Sequence, residues 1–273
     1  MKRLHTLLVL FPVILIALIG CSHPVPVSQP AAVPVTYVLV HGAWHGAWCW
    51  DKVVPLLEKN GNTVVAVDLP GHGKDKTPLA QVTLKAYVDR VLQVLDAQPG
   101  PVVLVGHSMG GIVITQAAES RPEKISTLVY LAATLPRNGE SANTPAYAEY
   151  DPGQVINSNV VLSADKRSCT IRDEGIKECF YGDCSDADIE RAKSLLVPQS
   201  LLPFITPVRT TTEKFGSVPR VYIATLRDKA IPPALQEYMY TNLPCKKVIS
   251  MDTCHSPFFS QPEELVRNLL SVQ

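Results

Sequence analysis

No excess of either charge is present: Lys and Arg together number 25, and so do Asp and Glu. A chain so balanced has no electrostatic reason to bind a polyanion, which sets nucleic acid aside as a partner. The seven cysteines include no C-x-x-C pair, a spacing common in structural zinc sites, so no metal is expected. A convincing membrane-spanning run is also missing. The apolar stretch Leu4 to Ile19 is too short and too close to the start. What remains is ordinary globular composition, 46% apolar and 18% charged over 273 residues, which excludes a disordered chain and allows one large domain or two small ones.

The start of the chain reads as a processing segment. Lys2 and Arg3 precede the apolar run, which stops at Leu18-Ile-Gly-Cys21, and this resembles the lipobox of bacterial lipoprotein signal peptides. The resemblance implies that residues 1–20 are removed, that Cys21 is lipidated, and that the domain is exported and held to the cell envelope through that one membrane contact. In a Gram-negative source this means the outer membrane, because Ser22 replaces the aspartate associated with inner-membrane retention. An ordinary secretory leader or an uncleaved anchor would export the domain as well. Pro24, Pro26, Pro30 and Pro34 make residues 21–34 a stiff tether, leaving 35–273 as the folded domain. Six further cysteines, Cys49, Cys169, Cys179, Cys184, Cys245 and Cys254, suit an oxidising compartment. Fifteen pairings are open to them, and closeness in sequence favours a local bridge among Cys169, Cys179 and Cys184.

The most informative stretch is Pro101 to Gly111, an apolar strand running into Gly106-His-Ser-Met-Gly110 and then a helical pattern. A serine on so tight a strand-to-helix turn projects its hydroxyl from the sheet, and glycines two before and two after keep Cβ atoms out of the neighbouring elements. Ser108 is the candidate nucleophile. The helix that follows presents its amide end where an oxyanion would form.

Around this turn, apolar strands alternate with amphipathic helices. Strands are expected at Val35–Val40, Thr63–Asp68, Ile125–Leu131, Arg220–Thr225 and Lys246–Met251, with helices at Asp51–Asn60, Thr83–Ala97 and Pro232–Asn242 and from Pro262 onward. This order specifies a parallel sheet covered on both faces, with its site at the carboxyl ends of the strands. His41, Ser108 and the glycine-rich turn at Asp68 all fall there. His41, His45 and His72 are expected to serve as structural hydrogen-bond partners, and Asp68 to organise its turn. About 134–216 is rich in Pro, Ser and Asp, carries a helix at Ser185–Val197, and reads as a lid. The lid's apolar Leu196, Leu201 and Phe204 are candidate substrate contacts, and it has no basic cluster. After the last two strands come Asp228 and His255. The order Ser108, Asp228, His255 is nucleophile, acid, base, with Asp252 a second candidate acid.

These residues together resemble the α/β-hydrolase superfamily, and more narrowly the plant methylesterase and hydroxynitrile lyase family typified by salicylate-binding esterases. The likeness rests on Val40-His-Gly-Ala-Trp-His-Gly-Ala-Trp48, Gly106-His-Ser-Met-Gly-Gly111, Lys214-Phe-Gly-Ser-Val-Pro-Arg-Val-Tyr-Ile223 and the loops of Asp228 and His255. It implies an α/β-hydrolase fold with a six-stranded, mostly parallel sheet, helices on both faces and a lid insertion. It also implies an oxyanion hole formed by the amides of Ala43 and Met109. The lyases of this family carry a threonine after the first-loop histidine and a lysine after the catalytic one; here these positions are Gly42 and Ser256. The reading is therefore a serine carboxylesterase acting without cofactor on a small or medium uncharged ester. The alternatives are a hydroxynitrile lyase and a non-catalytic module that binds a hydrophobic ligand.

Overall fold

The structure is a computed structural model that describes residues 34–272. By contacts the chain divides into Met1–Val33 and Pro34–Gln273. The signal peptide, Cys21 and all of the tether but Pro34 lie outside the described residues. No helix among the described residues is long and apolar enough to cross a membrane.

The domain begins with β1 (Thr36–Val40), α1 (Val53–Lys59) and β2 (Thr63–Val67). Pro55 falls in the first turn of α1, where its missing N–H leaves no bond unmade. Next come α2 (Leu84–Asp96), β3 (Val102–His107), α3 (Gly110–Ser120) and β4 (Ile125–Leu131). Thr83 caps α2, its Oγ1 accepting from the Ala86 amide at 3.1 Å, the preferred role of threonine at a helix start.

A long insertion then carries α4 (Val155–Asn159), β5 (Val160–Leu162), β6 (Ser168–Ile171), α5 (Asp173–Phe180), α6 (Asp186–Leu195), β7 (Gln199–Ser200) and α7 (Leu202–Ile205). The main pattern resumes with β8 (Arg220–Thr225), α8 (Pro233–Asn242), β9 (Lys247–Met251), α9 (Pro257–Ser260) and α10 (Pro262–Leu270).

Six strands form one sheet in the order β2-β1-β3-β4-β8-β9, and every pairing in it is parallel. All six residues of β3 are buried, as expected of a central strand with helices on both faces. The carboxyl ends of β1, β3, β8 and β9 therefore lead to Ala43, Ser108, Asp228 and His255. The insertion holds its own antiparallel sheet, β5-β6-β7.

The expected local bridge among Cys169, Cys179 and Cys184 is not made, since every described cysteine is free. The reason is placement. Cys169 lies on β6, and Cys179 on α5 directs its sulfur to the Val155 carbonyl at 3.8 Å. The sulfur nearest Cys184 is that of Cys254, at 3.9 Å.

Candidate active site

The turn after β3 puts Ser108 at φ +53°, a left-handed conformation that costs a non-glycine residue roughly 1–3 kcal/mol. Its surroundings hold it there. The Ser108 amide donates to the Leu131 carbonyl at 3.2 Å, and the Ser108 carbonyl accepts from the Thr134 amide at 3.1 Å. Close approach explains the flanking glycines. A Cβ at Gly106 would lie 2.8 Å from the Gly110 carbonyl oxygen, and one at Gly110 would lie 2.8 Å from that of His41.

Two backbone amides beside Ser108 have no partner. Neither Ala43 nor Met109 donates its N–H to any group among the described residues, and both border the same cavity as Ser108. Buried amides are nearly always bonded, so two orphans beside one hydroxyl form a ready anion-binding niche. The loop carrying Ala43 is itself strained, with Trp44 at φ +61°. The insertion pins it: Trp44 donates from its amide to Gln199 Oε1 at 3.3 Å and from Nε1 to the Cys169 carbonyl at 3.1 Å.

After β8, Asp228 Oδ1 accepts from the amides of Ala230 and Ile231 at 2.8 and 2.9 Å. Its Oδ2 accepts from Thr225 Oγ1 at 2.9 Å, Gln236 Nε2 at 3.2 Å and His255 Nδ1 at 2.7 Å. The side chains of His255 and Asp228 are 1% and 0% exposed, so this bond sits away from competing water. Asp252 is elsewhere, 77% exposed and paired with Arg227 Nε at 3.0 Å. His255 abuts the serine turn through His107, which donates from Nε2 to the His255 carbonyl at 2.8 Å, with the two rings 4.5 Å apart. The Ser108 hydroxyl makes no hydrogen bond among the described residues, an arrangement common before substrate tightens a site.

The other loop histidines are held by structural hydrogen bonds, and two of them, His41 and His45, are neutral. His41 donates from Nδ1 to the Gly42 carbonyl at 2.7 Å and accepts at Nε2 from the Leu69 amide at 3.2 Å. His45 is held in the same way, between the Ala43 carbonyl at 2.7 Å and the Tyr181 hydroxyl at 2.6 Å. A ring that accepts at one nitrogen cannot carry a proton on both. Burial pushes His41 well below its ordinary pKa and His45 down to about 3. His72 lies between the Pro70 carbonyl and Gln199. Asp68 does organise its turn, accepting from the amides of Ala47 and Lys74 at 2.7 and 3.0 Å.

Ser108 opens into a cavity of about 320 Å³ whose walls include Trp44, Phe180, Phe204, Leu235 and Met239, with Asn143, Asp151 and Gln154 on the insertion side. Of the three predicted substrate contacts, only Phe204 borders it. Leu196 and Leu201 do not line it, although all three pack against the hydrophobic core. The sequence reading missed Phe180, whose ring lies 5.7 Å from Trp44 and 5.9 Å from His255. It also missed Gln236, which braces Asp228, and Gln199, wholly buried beside the first loop. A wholly buried glutamine is unusual enough to mark a hydrogen-bonding role, but its burial becomes visible only in three dimensions. None of the candidate catalytic residues falls in a group of clustered metal-type donors. The group found among the described residues is Asp183, Cys184 and Cys254.

Residues 37–268 match the model of the alpha/beta hydrolase family. Methylesterase 1 of Arabidopsis thaliana is 37% identical over 258 residues, covering 86% of this chain and 95% of its own. A pyrethroid hydrolase of Sphingobium wenxiniae is 34% identical over 235 residues, 84% of each chain. The crystal structure of polyneuridine aldehyde esterase superposes with a TM-score of 0.79 at 31% identity, covering 88% of this chain and 99% of the other.

Proposed function

The chain belongs to the alpha/beta hydrolase family, and on that premise we propose that it is a serine carboxylesterase working through an acyl-enzyme. The observation that carries this reading is the pair of unpartnered amides, Ala43 and Met109, opening beside a strained Ser108 on one cavity. His255, oriented from behind by Asp228, takes the serine proton as Oγ attacks the ester carbonyl. The developing oxyanion receives the two amide N–H groups, whose positions are fixed in advance by the strained loops. The same imidazole then protonates the leaving alcohol, and an activated water repeats the sequence on the acyl-enzyme. No cofactor takes part in this chemistry.

Relatives named methylesterase and esterase support an ester substrate. The aromatic and aliphatic walls, with Asn143 and Gln154 offering hydrogen bonds on the insertion side and a volume of about 320 Å³, favour a small or medium uncharged ester held by apolar contact and a few polar groups. The insertion, which supplies Phe180 and Phe204, acts as the lid. The lyase alternative lacks its chemistry. A Cβ at Gly42 would meet the Ser108 Cβ at 2.7 Å, and Ser256 offers only a buried hydroxyl without a partner among the described residues, so no cation stands beside His255 at that position. Export and lipid anchoring at Cys21 belong to the same proposal.

Hydrolysis of p-nitrophenyl esters of graded acyl length, beside an assay of cyanide release from mandelonitrile, tests the reading. Turnover of short esters that is lost in Ser108→Ala, with no cyanide released, is expected. Cyanide release would favour the lyase, and ligand binding without turnover would favour a binding module.

A further inference from the structure

Two thiols stand apart from the other four described. The sulfurs of Cys184 and Cys254 lie 3.9 Å from each other although 70 residues separate them in sequence, and both residues are buried, at 8% and 4% exposure. Each occupies a telling position. Cys184 precedes Ser185, whose hydroxyl caps α6 by accepting from the Asp188 amide at 3.2 Å, so it belongs to the insertion. Cys254 immediately precedes His255. The esterase chemistry uses neither thiol.

A metal fits poorly here. Asp183 completes a trio whose donor atoms lie within 4.8 Å of one another, but its Oδ2 already accepts from Arg227 Nη2 at 2.9 Å and from the Cys254 amide at 3.1 Å. The guanidinium beside the trio would repel a cation, and three donors fall short of the four of a structural zinc site. Cys254 also donates to the Phe180 carbonyl at 3.2 Å and accepts from the Ser256 amide at 3.4 Å, yet sulfur facing sulfur across two separate chain segments has a simpler use than a metal.

We propose that Cys184 and Cys254 form a disulfide that ties the insertion to the loop of His255. The reaction is exchange with an external disulfide: each thiol gives up its proton, a Cys184–Cys254 bond forms, the external S–S bond breaks, and two external thiols leave with the two electrons and two protons. Forming the bond draws the sulfurs from 3.9 Å to about 2.05 Å. The hydrogen bond to Cys254, together with burial, pushes the Cys184 thiol far above its ordinary pKa. Thiolate attack is therefore slow once the insertion has closed. The bridge forms during folding, while the segment is open, and the same burial afterwards shields it from reductant. It closes a 70-residue loop and fixes the backbone on which His255 is carried.

The test uses the full chain, folded in a reduced and oxidised glutathione pair, then denatured and treated with N-ethylmaleimide before and after dithiothreitol. Two fewer adducts before reduction, and a peptide joining Cys184 to Cys254, are the expected results. Folding under dithiothreitol should lower Tm by ~10 °C, the scale for a bridge of this loop length in a domain of this size. Cys245→Ser should keep that shift, whereas Cys184→Ser and Cys254→Ser should abolish it. Equal labelling before and after reduction would overturn the proposal. So would a bridge between any other pair, or one equivalent of zinc retained by the reduced wild-type chain. The wild-type peptide map decides the matter even if a serine variant fails to fold, and no readout depends on esterase activity.

Discussion

Replacing Asp228 by asparagine probes the orientation of His255 with little change of volume. The Asp228 carboxylate accepts five hydrogen bonds, two from backbone amides on Oδ1 and three on Oδ2 including that from His255 Nδ1. An asparagine must turn its NH2 toward one of these groups. Turned toward Oδ2, it confronts His255 Nδ1–H and drives the ring to the other tautomer, with a hydrogen on Nε2 and no lone pair for the Ser108 proton. Turned toward Oδ1, it confronts two fixed backbone donors. Hydrogen bonds to a charged group contribute about 1.5–3 kcal/mol each, and an unpaired buried donor costs a similar amount. The variant should therefore lose about 3–5 kcal/mol of stability. The wrong tautomer should lower kcat by about three to four orders of magnitude at neutral pH. Steady-state hydrolysis of a p-nitrophenyl ester from pH 6 to 10, with Tm by differential scanning fluorimetry, measures both effects. Asp252→Asn is the control and should stay within about twofold, because that side chain lies in solvent against Arg227. A folded Asp228→Asn enzyme retaining a tenth or more of its activity would refute the assignment of this acid.

Acid should weaken the fold below the ordinary histidine pKa. His41, His45 and His107 are buried neutral, with folded pKa values depressed first of all by desolvation, so the unfolded chain binds protons that the folded chain refuses. Stability rises with pH through that window and is lost as pH falls from about 6.5 toward 3, each group costing about 1.4 kcal/mol at pH 5.5; a Tm unchanged between pH 7 and 5.5 would contradict this. Gly42→Thr, a step toward the lyase pattern, places a Cβ 2.7 Å from that of Ser108. It should lower kcat/KM for esters at least tenfold without producing cyanide release, and unchanged ester kinetics would argue against so tight a contact. For the leader, Cys21→Ser should move the exported protein from the detergent to the aqueous phase in Triton X-114 partitioning, and detergent partitioning that survives the change would remove the lipid anchor.

Much of this was legible in one dimension because the signals are local. Gly106 and Gly110 are demanded by carbonyl oxygens that a Cβ would strike, and the buried strands read as continuous apolar runs because helices cover both faces of the sheet. Asp228 and His255 were identifiable by falling just after consecutive late strands, and the fold turns that order into a 2.7 Å bond. The insertion was legible as a break in the pattern and as one helix, the expected Ser185–Val197, which the fold forms as α6. Its strands are two to four residues long, too short to show a period, and which of its apolar residues face the cavity depends on contacts across the fold. Leu196 and Leu201 lie near Phe204 in sequence yet stay off the cavity wall, whereas Phe180, 24 residues earlier, lines it and reaches His255. Gln236 and Gln199 carried no signal at all, since a glutamine is ordinarily a surface residue. Cysteine pairing failed for the same reason: proximity in sequence pointed to a bridge among Cys169, Cys179 and Cys184, while the fold set Cys184 against Cys254.

The most direct measurement of the central claim is intact-mass analysis of the purified protein after treatment with a fluorophosphonate, with Ser108→Ala in parallel. An assembled site adds one phosphonyl group per chain to the wild type, at Ser108 by peptide mapping, and none to the variant. A folded wild-type protein that stays unlabelled, or a label that persists in Ser108→Ala, would contradict the claim that His255 and Asp228 activate this serine.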